Sequence, residues 1–109
     1  MVAENTDQPQ VARPQPYLPH ITLLGPIAVG WTVCQPLRLM VEQEDDGWVV
    51  VSDDVFAVYG DGTTVSAARQ SYIVSLIDYY EMLAAHSHED RFDADQLERL
   101  RSYLRPQDR

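Results

Sequence analysis

From Thr63 onward the chain runs through Ser87 without a glycine or proline, and this uninterrupted stretch constrains the fold more than any other feature. A backbone free of breakers over that length reads as one long helix, with Thr63 as the capping residue that accepts from the first-turn N–H groups. Val65, Ala68, Tyr72, Leu76, Tyr79 and Leu83 recur every three or four residues, the stripe of an amphipathic helix over Thr63 to Ala85. A second row, Ile73, Ile77, Tyr80 and Ala84, lies beside it and widens the apolar arc. Such a helix needs an apolar surface to cover it, and the preceding residues supply strands.

Leu37, Leu39 and Val41 alternate with Arg38, Met40 and Glu42, the period of two expected of a strand with one buried face. Asp46-Gly47 then reads as a two-residue hairpin turn, and Trp48 to Val51 as the return strand. That turn pairs Gln43 with Val50 and Val41 with Ser52, which places Val50 on the face of Leu39 and Val41. After the polar break Asp53-Asp54, Val55 to Tyr59 reads as a third strand ending at Gly60-Asp61-Gly62. Upstream, His20 to Leu24 reads as a short strand, Gly25-Pro26 as a turn and Ile27 to Val33 as a second extended run, with Pro36 restarting the chain.

Downstream, Asp93 and Gln96 form a pair like a capping box, with Phe92 and Leu97 in staple positions. Leu97, Leu100 and Leu104 then make one stripe of a short helix that Pro106 stops. The expected architecture is α+β: an antiparallel sheet of three strands, or four with His20 to Leu24, one long helix packed on a face and a short C-terminal helix alongside. Residues 1–16, polar and carrying Pro9, Pro14 and Pro16, read as a disordered arm, and 17–109 as a single domain.

Charge narrows the partner. The 109 residues hold 17 acidic and 8 basic side chains, a formal net charge of -9, which repels phosphate and anionic lipid and attracts basic surfaces. A basic protein or a second copy of the chain is the expected partner, with no direct nucleic-acid binding and no membrane. The C-terminal arginines, Arg99, Arg101, Arg105 and Arg109, are interleaved with Asp95, Glu98 and Asp108, and read as a charged solvent face. The single cysteine, Cys34, forms no internal disulfide and reads as a small apolar packing group. Without a secretory leader or an apolar span in the sequence, the cytoplasm is the expected location.

No residue pattern defines catalysis. His86-Ser-His88-Glu-Asp90 lacks the third and fourth ligands at the spacings a zinc site needs, and reads as a polar linker. The pairs Asp45-Asp46 and Asp53-Asp54 fall at predicted turns, where aspartate serves backbone geometry. Gly60-Asp61-Gly62-Thr63 lacks the lysine of a phosphate-binding loop, so its glycines read as a sharp strand-to-helix connection. No enzyme activity, cofactor or metal is expected.

Taken in order, Pro36-Leu-Arg-Leu-Met-Val-Glu42, the acidic-Gly-aromatic turn Asp45-Asp-Gly-Trp48, the strand ending at Tyr59-Gly-Asp-Gly-Thr63 and the helix with Ala67 in its first turn resemble the compact domain of HicB-like antitoxins over residues 36–84. The resemblance implies a protein that neutralises a small basic RNA-cleaving toxin by covering its active surface. The chain departs from the pattern in three places. It has Val65 and Ser66 where acidic residues usually follow the cap, a short helix where many members carry a DNA-binding module, and an added segment over residues 1–35.

A member that has lost its toxin, or a structural or accessory subunit that dimerises or joins a larger assembly, is the alternative. Expected contact residues are the aromatics Trp48, Phe56, Tyr59, Tyr79 and Tyr80, since aromatics carry much interface energy. Asp45, Asp46, Asp53 and Asp54 are expected to steer the partner.

Overall fold

A computed structural model describes residues 19–107, so the predicted arm over 1–16 lies outside the described residues. The fold is α+β. The elements run β1 (His20–Ala28), β2 (Trp31–Gln43), β3 (Val49–Ser52), β4 (Tyr59–Gly62), α1 (Val65–His86), α2 (Arg91–Arg101) and β5 (Leu104–Pro106). The strands are antiparallel in the order β1-β2-β3-β4, and β5 pairs with β2 as well. Because β2 is 13 residues long, β3 takes Met40 to Gln43 and β5 takes Trp31 to Val33 along the same edge, opposite β1.

The first two strands correct the sequence reading. Gly25-Pro26 is not a turn but a bulge within one continuous β1, where the pairing slips between Leu23↔Leu37 and Gly25↔Val33. The chain reverses at Val29-Gly30 instead. Nor does Pro36 restart the chain; it lies inside β2. Cys34 N–H, two residues earlier, donates to Tyr103 O on the β5 side, so the missing N–H of Pro36 falls in the gap between β5 and β3, where no strand asks for it.

The hairpin after β2 also differs from expectation. Glu44 N–H donates to Trp48 O and Gly47 N–H to Glu44 O, which closes a three-residue loop, Asp45 to Gly47. Only Gly47 has a positive φ, +89°, whereas the two-residue turn would need one at Asp46 as well. The extra residue shifts the register by one, to Gln43↔Val49 and Val41↔Val51. A one-residue slip exchanges the faces of a strand, so Val49 and Val51 are buried and Val50, expected on the core side, lies on the other face.

Residues 53–58 are not a strand. They wind around Asp53, and β4 begins only at Tyr59. Gly60 and Gly62 are strand residues rather than a turn, and their lack of a side chain lets α1 lie directly on β4. A Cβ on Gly60 would overlap the Tyr72 backbone nitrogen and Cα, and one on Gly62 would sit 2.7 Å from the Ala67 Cβ.

The long helix caps one residue later than expected: Thr64, not Thr63, accepts from Ala67 N–H at 3.0 Å. Its buried stripe is Ala68, Tyr72, Ile73, Leu76, Tyr80 and Leu83, so the core axis runs between the two expected rows, leaving Val65 exposed and Tyr79 half-buried. The second helix is capped by Asp90 rather than Asp93, through Phe92 N–H at 2.8 Å, and Phe92 is exposed rather than stapled against Leu97. It ends at Arg101, so Leu104 reaches the core from β5, and Pro106 belongs to that strand. Leu23, Val33, Leu37, Leu39 and Val51 of the sheet meet Leu76, Leu83, Leu97 and Leu100 of the helices in one core. Cys34 is exposed, contrary to its expected packing role, and its thiol lies 3.4 Å from Tyr103 O.

Candidate functional site: an acidic and aromatic margin

Three of the nine expected contact residues, Asp53, Phe56 and Tyr80, are buried and structural. Asp53 is 6% exposed, and its Oδ1 accepts from Val55 N–H at 2.8 Å, Phe56 N–H, and Ala57 N–H at 3.1 Å. Its Oδ2 accepts from Val58 N–H at 3.3 Å and from the Tyr72 hydroxyl at 2.5 Å. One carboxylate thus gathers a loop that cannot form ladder bonds and ties it to the long helix. Burial pushes the Tyr72 hydroxyl well above the ordinary phenol range, and the hydrogen bond and negative charge of Asp53 add to the effect.

Phe56 is 7% exposed, in edge contact with Tyr103 and tilted against Tyr79, with the Arg99 guanidinium 5.9 Å from its ring centroid. Tyr80 is also buried; it packs edge-on against Trp31 and accepts from Arg101 Nε at 3.2 Å.

The remaining expected residues fall on the outside. Trp48, 38% exposed, follows Asp45 and Asp46 at the β2–β3 hairpin, where Asp46 Oδ1 accepts from Trp48 N–H at 2.9 Å. Asp54 is exposed on the 53–58 loop. Tyr59 is 63% exposed on β4, the last strand of the sheet. The half-buried Tyr79 accepts from Gln96 Nε2 at 3.2 Å.

Tyr59 and Tyr79 are brought together. With Val58, Gly60, Asp61, Ser71, Ser75 and Asp78 they line a shallow groove of about 540 Å³ between β4 and α1. Within it Asp61 N–H donates to Ser71 Oγ at 3.2 Å. Sequence reasoning missed Asp61, Ser71, Ser75 and Asp78. The signal available was the stripe Ser71, Ser75 and Asp78, small or polar residues at helical spacing on one side of α1.

The histidines stand apart from this groove. His86 Nδ1 lies 2.9 Å from Met82 O, and His88 Nε2 lies 3.8 Å from Glu89 Oε2. That is the single ion-pair contact among the described residues, and among them no group of three or more His, Cys, Asp or Glu is placed to hold a metal ion. No helix among the described residues is long and apolar enough to cross a membrane. The chain matches no protein-family model, no curated protein and no solved structure.

Proposed function

We propose that this domain binds a basic protein without catalysing a reaction, in the manner of a HicB-like antitoxin, in the cytoplasm. One observation carries the reading. Acidic side chains that form no ion pair among the described residues stand beside exposed aromatics: Asp45 and Asp46 with Trp48, and Asp61 with Tyr59. Unneutralised carboxylates extend the field of a chain with net charge -9, and aromatic rings supply apolar area once the partner has docked. Asp45, Asp46 and Asp54 serve as steering charges in this reading, while Asp53 holds the loop that carries Asp54.

Isolation of the native partner by cross-linking and mass spectrometry, followed by association kinetics at several salt concentrations, tests the proposal. The expected partner is basic, and the association rate falls about tenfold or more between low and physiological salt while the dissociation rate changes less. Changing Asp45, Asp46 and Asp54 together to Asn flattens that dependence. A neutral or acidic partner, or a rate indifferent to salt, refutes the reading.

The second reading, a subunit of a larger assembly, is favoured by the other margin of the sheet. The outer edge of β1 pairs with no described strand, and Leu24 and Val29 beside it are exposed. Concentration-dependent self-association in sedimentation, lost when Leu24 and Val29 are changed to polar residues, would support it.

A further inference from the structure

We infer that the outer edge of β1 docks a second copy of this chain, whose own β1 pairs with it antiparallel about Thr22 so that the two sheets become one. Such a dimer rests on the second reading above, to which it gives a strand, a register and an axis, and it is independent of the basic partner.

Backbone direction decides what β1 offers. Val41 N–H donates to Pro19 O at 3.0 Å, so Pro19 turns its carbonyl toward β2. Alternation along the paired strand turns Ile21 and Leu23 the same way. The N–H and C=O groups of His20, Thr22 and Leu24 therefore point outward, where no described strand lies. Those three positions are evenly spaced about Thr22.

In a copy related by a two-fold axis, Thr22 meets Thr22 of the second copy and His20 meets its Leu24, each pair exchanging N–H and C=O groups. Leu24, 59% exposed in the single chain, gains a cross-strand neighbour, and the half-buried Ile21 comes to face Leu23 of the second copy. Pro26, with no N–H to give, ends the ladder.

Charge selects a copy of the chain as the occupant. Of the 17 acidic residues only Glu4 and Asp7 precede β1, and every other one follows Val41. From Pro19 to Val41 the only formal charge is that of Arg38, and His20 is the only ionisable side chain on β1 itself. Chains of net charge -9 repel one another, and β1 is the margin where two can meet without setting acid against acid. A basic partner is drawn to the acidic margin instead. Exposed edges are commonly guarded by charged side chains, yet β1 carries no lysine, arginine or acid over its nine residues. The other end of the sheet is closed by contrast, because the outward N–H of Asp61 on β4 is already given to Ser71 Oγ.

The test uses the full chain alone. Sedimentation should show a monomer–dimer equilibrium. Hydrogen exchange followed by NMR should show the amides of His20, Thr22 and Leu24 protected at high concentration and exchanging about tenfold faster or more on dilution, while those of Ile21 and Leu23, bonded within the chain, keep their rates. Thr22→Lys and Thr22→Asp each set like charges against one another across the axis, so each alone should dimerise about fivefold more weakly than the parent, and an equal mixture of the two should pair again. Thr22 is exposed, so both variants should unfold at the parent temperature in dilute solution.

A chain that stays monomeric at the concentrations NMR requires overturns the dimer, and a basic partner with the expected salt dependence would still uphold the proposed function. Self-association that leaves the His20, Thr22 and Leu24 amides exchanging at one rate overturns β1 as the interface while the second reading stands. Mixed Thr22→Lys and Thr22→Asp chains that associate no better than either alone overturn the register about Thr22. If the dimer forms as expected but the native partner is not basic, the proposed function falls alone.

Discussion

Replacing Asp53 by Ala should be among the most damaging single changes available in this domain, and the structure sets the scale. The carboxylate accepts from four backbone N–H groups and one phenol, joining residues 55–58 to Tyr72 of α1. Without it the Tyr72 hydroxyl and the Phe56 N–H are stranded in the core, whereas the part-buried N–H groups of Val55, Ala57 and Val58 can reach water as the loop loosens. Two buried orphans at about 1–3 kcal/mol each set a loss of about 2–6 kcal/mol. Displacement of Phe56 from Tyr79 and Tyr103 adds to it.

A domain of roughly 90 residues has a total stability of about 4–13 kcal/mol, so the variant should be marginal or unfolded at 37 °C. Tyr72→Phe should cost less, about 1–2 kcal/mol, because the carboxylate keeps its four N–H partners. Equilibrium unfolding in urea measures both. An Asp53→Ala variant within about 1 kcal/mol of the parent, or one that outlasts Tyr72→Phe, would show that the loop does not depend on this carboxylate.

Gly60→Ala should destabilise by more than about 3 kcal/mol, since the new methyl overlaps the Tyr72 backbone and the buried side chains of α1 prevent the helix from backing away. Gly47→Ala meets only conformational strain, about 1 kcal/mol, so equal melting temperatures for the two variants would contradict the close approach of α1 to β4. Alkaline pH should unfold the parent sooner than Tyr72→Phe. The folded chain holds the Tyr72 proton more tightly than the unfolded chain does, so that contribution is whole below about pH 10 and shrinks as pH rises beyond it. Absorbance at 295 nm with parallel circular dichroism checks this; ionisation of all six tyrosines in a chain that keeps its native spectrum would refute it.

What could be read from the sequence was whatever repeats locally. The α1 stripe needed only periodicity, and the alternation of Leu37, Leu39 and Val41 placed the core face of β2 correctly. The β2–β3 turn was located at the right residues but given the wrong length, because Asp-Gly suits both a two-residue turn and the last two positions of a three-residue loop. The choice between them is made by strand packing. Gly25-Pro26 misled for a similar reason, since the same dipeptide serves a turn or an edge-strand bulge.

The role of Asp53 was out of reach altogether. Its decisive partner, Tyr72, is 19 residues away, and neither residue carries a local sign of the other. The groove was half visible: Tyr59 and Tyr79 were selected as aromatics, yet only the descent of α1 onto Gly60 and Gly62 sets Ser71, Ser75 and Asp78 beside the margin of β4.

The division of one β2 edge between β3 and β5 bears on how the chain is made. Cys34 and Tyr103, joined by a backbone hydrogen bond, are 69 residues apart, so a ribosome delivers β1 to β4 and both helices before β5 can dock. Throughout that interval Trp31, Thr32 and Val33 present an unsatisfied strand margin to every neighbouring nascent chain. Leu104 to Pro106 therefore act as a closing latch, and a message cut short before Leu104 would yield a product prone to pair with its own kind rather than a slightly weaker domain.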